Sequence, residues 1–418
     1  MLRPYPPFPL LSLPAPLIQA VASYLPAPSL LSLLLASKRL HFLAPLLATH
    51  RTPAVLLLHA SKTNDLPLAL SSIAAGAPLA ATTTTSLCTP LHRAAVYGYE
   101  DLLTALLDAG APLNAADSYG QTPLHCAAGA GQEGAARALV ERGANINIVD
   151  KVGRTPLHWA VSTPGCDGIT RLLLDRGASV DAAGHGGMTP LLLAVGSGEA
   201  VAAKLLAERG GDMAGVDEKG RGVLHVAAAA AGGAAAMVGW LLGMGADADR
   251  RDAEGRTALM GAVVRGAAEV VEVLLGRRVD VDARDGARNE TVLHMAVRRG
   301  DKEVAAMLLE CGVDRNARNV DNETALHVAV GAGEWAVVPL LLDAKIDVNA
   351  RNREEETALH VLVGAGVEGE AELGAADLLL QKGVDIDAKD CRGENVLTIA
   401  EREGLKSMLA VFLDFCRG

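Results

Sequence analysis

Seven histidines, His92, His125, His158, His225, His294, His327 and His360, each sit inside a short recurring phrase, written "GRTPLHWAV" at residues 153–161 and "GQTPLHCAA" from Gly120. Imidazoles in a row suggest two kinds of chemistry. A neutral ring nitrogen ligates transition metals, and a pKa near neutrality suits a general base. The six cysteines, at 88, 126, 166, 311, 391 and 416, form no C-x-x-C pair. They give neither zinc spacing nor a disulfide framework, and read as reduced thiols of an intracellular protein. No nucleophile elbow, Walker loop or dinucleotide fingerprint stands between a strand and a helix. The Gly-rich stretch "AAAAAGGAAAMVGW" at Ala227 reads as an extended connection between helices. No catalytic residue, metal or cofactor is expected.

Composition narrows the class. Half of the 418 residues are apolar but only 3% are aromatic, which suits closely packed small helices better than aromatic-rich sheets. A formal charge of −11 argues against a general nucleic-acid binder, because phosphate neutralisation needs an excess of Lys and Arg. Between Arg3 and Lys38 no residue is charged, yet eight prolines interrupt the first 28 residues, too many for a helix of about 20 residues spanning a membrane. No transmembrane helix is expected. A signal peptide remains open at the N-terminus, weighed against the reduced cysteines.

The phrase is periodic. Its Thr falls at 89, 122, 155, 189, 257, 291, 324 and 357, with Gly222 and Asn395 in the same slot; the steps are 33 to 38 residues, most of them 33 or 34. Gly76, Gly110, Gly143, Gly177, Gly210, Gly245, Gly312 and Gly383 form a second series, in which Arg278 and Lys345 fill the two gaps. Such a period means stacked repeats. Within one unit, Asp150–Gly153 is turn chemistry, Thr155 caps a first helix and Pro156 occupies its first position, where a missing N–H is no loss. Leu157 and Ala160 face a neighbouring helix. Ile169, Leu172, Leu173 and Leu174 make the apolar stripe of a second helix, which Gly177 ends as a left-handed cap. Arg278 and Lys345 are expected to hold that same left-handed backbone under strain.

From about residue 54 to 410 these units resemble ankyrin repeats. The resemblance implies an all-α solenoid of ten to eleven helix-turn-helix pairs joined by β-hairpin loops, and a protein that binds other proteins. It implies that each phrase histidine hydrogen-bonds within its own turn and to the adjacent hairpin. It also points to hairpin tips and the first-helix face as the binding surface. Target-binding candidates there are Arg250, Arg251, Arg284, Arg288, Arg318, Arg351 and Arg353, a basic ladder suited to carboxylates or phosphates, or else a solvated, internally paired edge. Trp159 and Trp335, the latter placed early in its second helix, are possible aromatic anchors.

Residues 10–50 do not fit the period. Leu13-Pro14, Leu17-Ile18, Val21, Tyr24-Leu25, Leu30-Leu31, Leu33 and "SKRLHFL" resemble an F-box, a small three-helix module. In that family these apolar residues, here Leu13, Pro14, Leu17, Ile18, Val21, Leu25, Leu30 and Leu33, dock on the Skp-type adaptor of a cullin-RING ubiquitin ligase. The layout resembles F-box/ankyrin proteins of filamentous fungi. The expected organisation is an F-box-like module at 1–52, a degenerate capping repeat at 53–88, the array at 89–394 and a C-terminal capping repeat at 395–418. The function expected from it is substrate recognition for a ubiquitin ligase, cytoplasmic or nuclear, with protein partners and no nucleic acid or membrane. The alternative is a non-catalytic scaffold or transcriptional co-regulator whose N-terminus only caps the stack.

Overall fold

A computed structural model describes residues 53–230 and 234–417. The F-box-like segment, with Leu13, Pro14, Leu17, Ile18, Val21, Leu25, Leu30 and Leu33, lies outside the described residues. Within them the chain forms eleven antiparallel helix pairs, from Pro53–Thr63 with Leu66–Ala74 to Val396–Glu403 with Lys406–Arg417, and one 3-10 turn at His185–Gly187. The pairs gather into two compact units. One holds the described residues up to Ala194 together with Val201–Gly211; the other holds Val195–Ala200 and everything from Asp212 onward.

Each first helix starts by the same local rule. Thr122 takes extended backbone (φ −92, ψ 166), and Pro123 opens the helix Pro123–Gly129. The leucine that follows is buried from Leu91 and Leu124 to Leu326 and Leu359, and half-buried at Leu397 in the last pair. Alanines one turn on, such as Ala94, Ala127 and Ala160, are equally buried and let adjacent first helices approach closely. Second helices supply the bulk. Leu102, Leu103 and Leu106 on Glu100–Asp108 are fully buried, and burying such a side chain contributes roughly 1.5–3 kcal/mol. Helices of six to twelve residues are too short to persist alone, so packing between pairs supplies their stability.

The hairpin loops contain no strand among the described residues. Most instead close on one carboxylate or amide, Gly184 and Thr83 standing in that slot in the other two. Asp150 Oδ1 accepts the N–H groups of Val152 (3.0 Å) and Arg154 (2.8 Å), while Asp150 N donates to Arg154 O. Two side-chain bonds and one backbone bond in such a loop make a tight turn in place of a ladder. The alanine-rich stretch at Ala227 also departs from expectation. Ala227–Ala229 end the helix Val223–Ala229, and Ala234 opens Ala234–Gly243, because alanine is the strongest helix former. The longest step, 38 residues from Thr357 to Asn395, is taken up by the longer second helix Glu370–Gln381. Glu368 then accepts Met408 N at 3.0 Å, near the start of the last helix, whose Phe412 is fully buried.

The two non-glycine caps behave differently. Lys345 does hold left-handed backbone, with φ 60 where Gly312 has φ 84. Arg278 does not. Its helix Ala268–Leu275 stops one residue sooner, Arg277 N donates to Leu274 O and Val279 N to Arg277 O, so the chain leaves without positive φ. Lys345→Gly is therefore expected to raise stability by about 1 kcal/mol. Arg278→Gly should give no gain, since it only adds freedom to the unfolded chain. Urea midpoints of the two variants check this: an equal gain at both sites would contradict the backbone assignment.

Candidate functional site

The histidines bridge consecutive repeats. In the first unit, Thr89 N donates to His92 Nδ1 (3.2 Å), and His92 Nε2 donates to Gln121 O of the next loop (2.9 Å). The same pair of bonds joins His125 to Arg154 O and His158 to Met188 O. In the second unit His225, His294, His327 and His360 reach Arg256 O, Glu323 O, Glu356 O and Ala388 O at 2.8–3.1 Å. A carbonyl can only accept, so Nε2 carries the proton; Nδ1, which accepts a backbone N–H, carries none. Both ring nitrogens are committed, leaving no lone pair for a metal or a substrate proton. Among the described residues no cluster of His, Cys, Asp and Glu could hold a metal ion. Burial also pushes the Cys126 thiol up to about 12, which keeps it protonated and unreactive at neutral pH.

Four arginines of the ladder bind the backbone. Arg251 Nη1 donates to Arg284 O (3.0 Å), Arg284 to Arg318 O (2.5 Å), Arg318 to Arg351 O (2.6 Å) and Arg351 to Lys389 O (2.9 Å). Each guanidinium thus holds the backbone of the next ladder position. Arg353 reaches back, to Val320 O (2.9 Å) and Asp321 Oδ1 (3.3 Å). Arg288 is exposed beside Glu290, and Arg250 lays its stem against Gly222, where a Cβ would meet Arg250 Cδ at 3.1 Å. Trp335 precedes its second helix, Val338–Asp343, instead of lying within it, and is half-buried in the turn. Pro339 can open a helix but cannot extend one, which delays the start.

Trp159 is differently placed. Its Nε1 donates to Asp150 Oδ2 (3.1 Å), and Arg154 lies over its ring at 4.3 Å from the centroid. One face packs on Gly129, where a Cβ would meet Trp159 Cε3 at 2.8 Å. The first unit carries further exposed apolar groups that the sequence reading passed over. Tyr119 is 66% exposed, Tyr97 56%, Leu87 46% and Val152 42%, and Tyr97 stacks on Tyr99 with centroids 5.4 Å apart. Tyr119 O and Val152 O accept the next loop's N–H, which places both residues at loop tips. The corresponding tips of the second unit are Lys219, Glu254, Arg288, Asp321 and Glu354, all charged. That contrast is visible in the sequence once the loops are aligned on their Asp or Asn.

A family model for ankyrin repeats matches residues 56–150, 91–184, 212–285, 259–352 and 293–390. No curated protein matches the chain. The unmatched stretch contains Thr189 with Leu192 three residues on, in the slot where the neighbouring phrases carry His158 and His225. No helix among the described residues is long and apolar enough to cross a membrane.

The bridging imidazoles make stability depend on pH. Burial holds His92, His125, His158, His294, His327 and His360 below the ordinary value of 6.5. The unfolded chain then binds protons first as pH falls. Stability is full above pH 6.5 and is lost as pH drops through that value, by up to about 1.4 kcal/mol per pH unit for each histidine. Urea midpoints should fall steeply between pH 7.5 and 5.5. Removing one bridge, as in His327→Met, should lower stability at pH 7.5 by roughly 1–3 kcal/mol, because Glu356 O and Thr324 N lose a buried partner. It should also shallow the pH slope by one proton; an unchanged slope would contradict the neutral bridge.

Proposed function

The chain belongs to the ankyrin-repeat family, whose repeats bind proteins, and on that premise we propose that it is a substrate-recognition subunit of a cullin-RING ubiquitin ligase. The repeats hold the target. The N-terminal F-box-like segment delivers it to the ligase by docking Leu13, Pro14, Leu17 and Ile18, with Val21, Leu25, Leu30 and Leu33, on a Skp-type adaptor. The observation that carries this reading is compositional: residues 10–50 hold fourteen leucines outside the repeat register. So much leucine in about forty residues exceeds what three short helices hide among themselves, and calls for a partner surface.

The protein itself performs no chemistry in this proposal, because the histidines that first suggested it are used up as bridges between repeats. The closed hydrogen-bond network also explains why a long acidic chain serves as a holder. Its framework carries its own polar partners, so side chains at the surface vary without disturbing the stack.

Changing Leu13 and Pro14 together to Ala in the full chain should abolish co-purification with the adaptor. The thermal unfolding of the repeats should change little, since each pair is stabilised by its nearest neighbours. An adaptor never captured by the unaltered chain, together with aggregation on removal of residues 1–50, would overturn the ligase reading in favour of a capped scaffold.

A further inference from the structure

We infer that the first unit, and not the arginine ladder of the second, carries the target site, and that its occupant is an extended acidic segment with apolar side chains. The inference deepens the substrate-binding half of the function proposed above and rests on it. Two hollows of the first unit set the geometry. One, of about 250 Å³, is lined by Lys62, Ser86, Cys88, Arg93 and Tyr97. The other, of about 290 Å³, is lined by Val152, Arg154, His185, Met188 and Leu193. Each lies where a loop meets a first helix, and their framework histidines, His92 and His158, are two repeat steps apart.

The chemistry between them is consistent. Leu87, Tyr119 and Val152 mark three successive loops with exposed apolar side chains, and Leu87 does so in left-handed backbone at φ 52. A bulky residue in that region is an outlier that a free surface loop does not require. Cations accompany them. Lys62 and Arg93 border the first hollow and Arg154 the second, with Lys151 beside Tyr119 through its backbone bond. The nearby carboxylates Asp117 and Asp150 are buried and accept the N–H groups of their own loops. Asp150 Oδ2 also lies 3.5 Å from Arg154 Nε, so that guanidinium offers a ligand only its outer edge, while Lys62, Arg93 and Lys151 carry most of the positive charge. A chain of net charge −11 therefore presents here a cationic, aromatic face, complementary to carboxylates interspersed with aliphatic or aromatic groups. In the second unit Arg251, Arg284, Arg318 and Arg351 each place Nη1 on a backbone carbonyl, which turns that side chain along the stack.

Length follows from the repeat step. Two steps of roughly 8–10 Å separate the hollows by about 16–20 Å, and an extended chain at about 3.3 Å per residue covers that in five or six residues. The bound segment thus places an apolar side chain in each hollow, five or six residues apart, with carboxylates between them facing Arg93 and Arg154.

Panning a phage-displayed library of random 12-residue peptides on the full chain tests this. Recovered peptides should be rich in Asp and Glu, with two apolar positions at that spacing, and their affinity should fall as salt rises. Tyr119→Ala, at an exposed tip whose loss leaves the fold intact, should weaken a recovered peptide at least tenfold, and Arg154→Glu should do the same. Arg318→Ala should leave binding unchanged. Basic or charge-free peptides, no enrichment, or equal loss on Arg318→Ala would each overturn the inference. Leu13→Ala with Pro14→Ala should leave peptide binding untouched, so failure of the adaptor reading and failure of this site are read separately.

Discussion

A neutral imidazole in seven of the repeats, donating from Nε2 to a carbonyl of the following loop, is the interaction on which the rest of this architecture depends. The short first helix offers only one turn in which to tie its own start and its neighbour's loop, and a side chain with one donor and one acceptor on opposite edges does both. His92 accepts from Thr89 N and donates to Gln121 O, and the same geometry recurs within each of the two units. The bond is made in an environment where an unsatisfied carbonyl would be expensive, so it contributes specificity of register as well as energy.

Around that bridge the loops repeat a second economy of polar groups. One Asp or Asn oxygen accepts two backbone N–H groups of its own turn, and a residue at the next position reaches the preceding loop. Side-chain oxygens extend this outward: Asn114 accepts Asn145 N, Asp282 accepts Asp314 N and Asn316 accepts Asp347 N. In the second unit the arginines add a further tier, each guanidinium closing on the backbone one ladder position ahead. The two units thus differ in what they leave available. The second ties four of its arginines to backbone carbonyls and presents charged tips, whereas the first sets aromatic and aliphatic tips beside positive groups.

Much of the fold was legible because its signals are local. Thr-Pro at a helix start, Leu one residue on and Gly after the second helix each have a physical cause contained within a few residues. The departures came from competition between local rules. Alanine propensity turned the stretch at Ala227 into helix ends, and Pro339 pushed Trp335 out of its helix. Arg278 escaped the strained backbone by an earlier helix stop, a choice open to any chain and not encoded in residue type. The candidate surface was less legible. Seven arginines looked like a ladder for a ligand, since sequence shows charge but not whether a backbone carbonyl lies within 3 Å. Tyr119 and Val152 drew no notice because an isolated apolar residue in a loop means little until its neighbours in space are known.

The direction of the imidazole bond has a consequence for how such a chain changes length. A repeat that carries the histidine is both a giver, through its Nε2, and a receiver, through its loop carbonyl, so any two such repeats are interchangeable partners; Leu192, Met260 and Thr398 occupy the slot in repeats that do not give. Gain or loss of a whole period leaves one giver facing one receiver at the new junction, whereas a fragment of a period strands both. Length variation in a chain built this way is therefore quantised: duplications and deletions in its gene survive as whole multiples of the period.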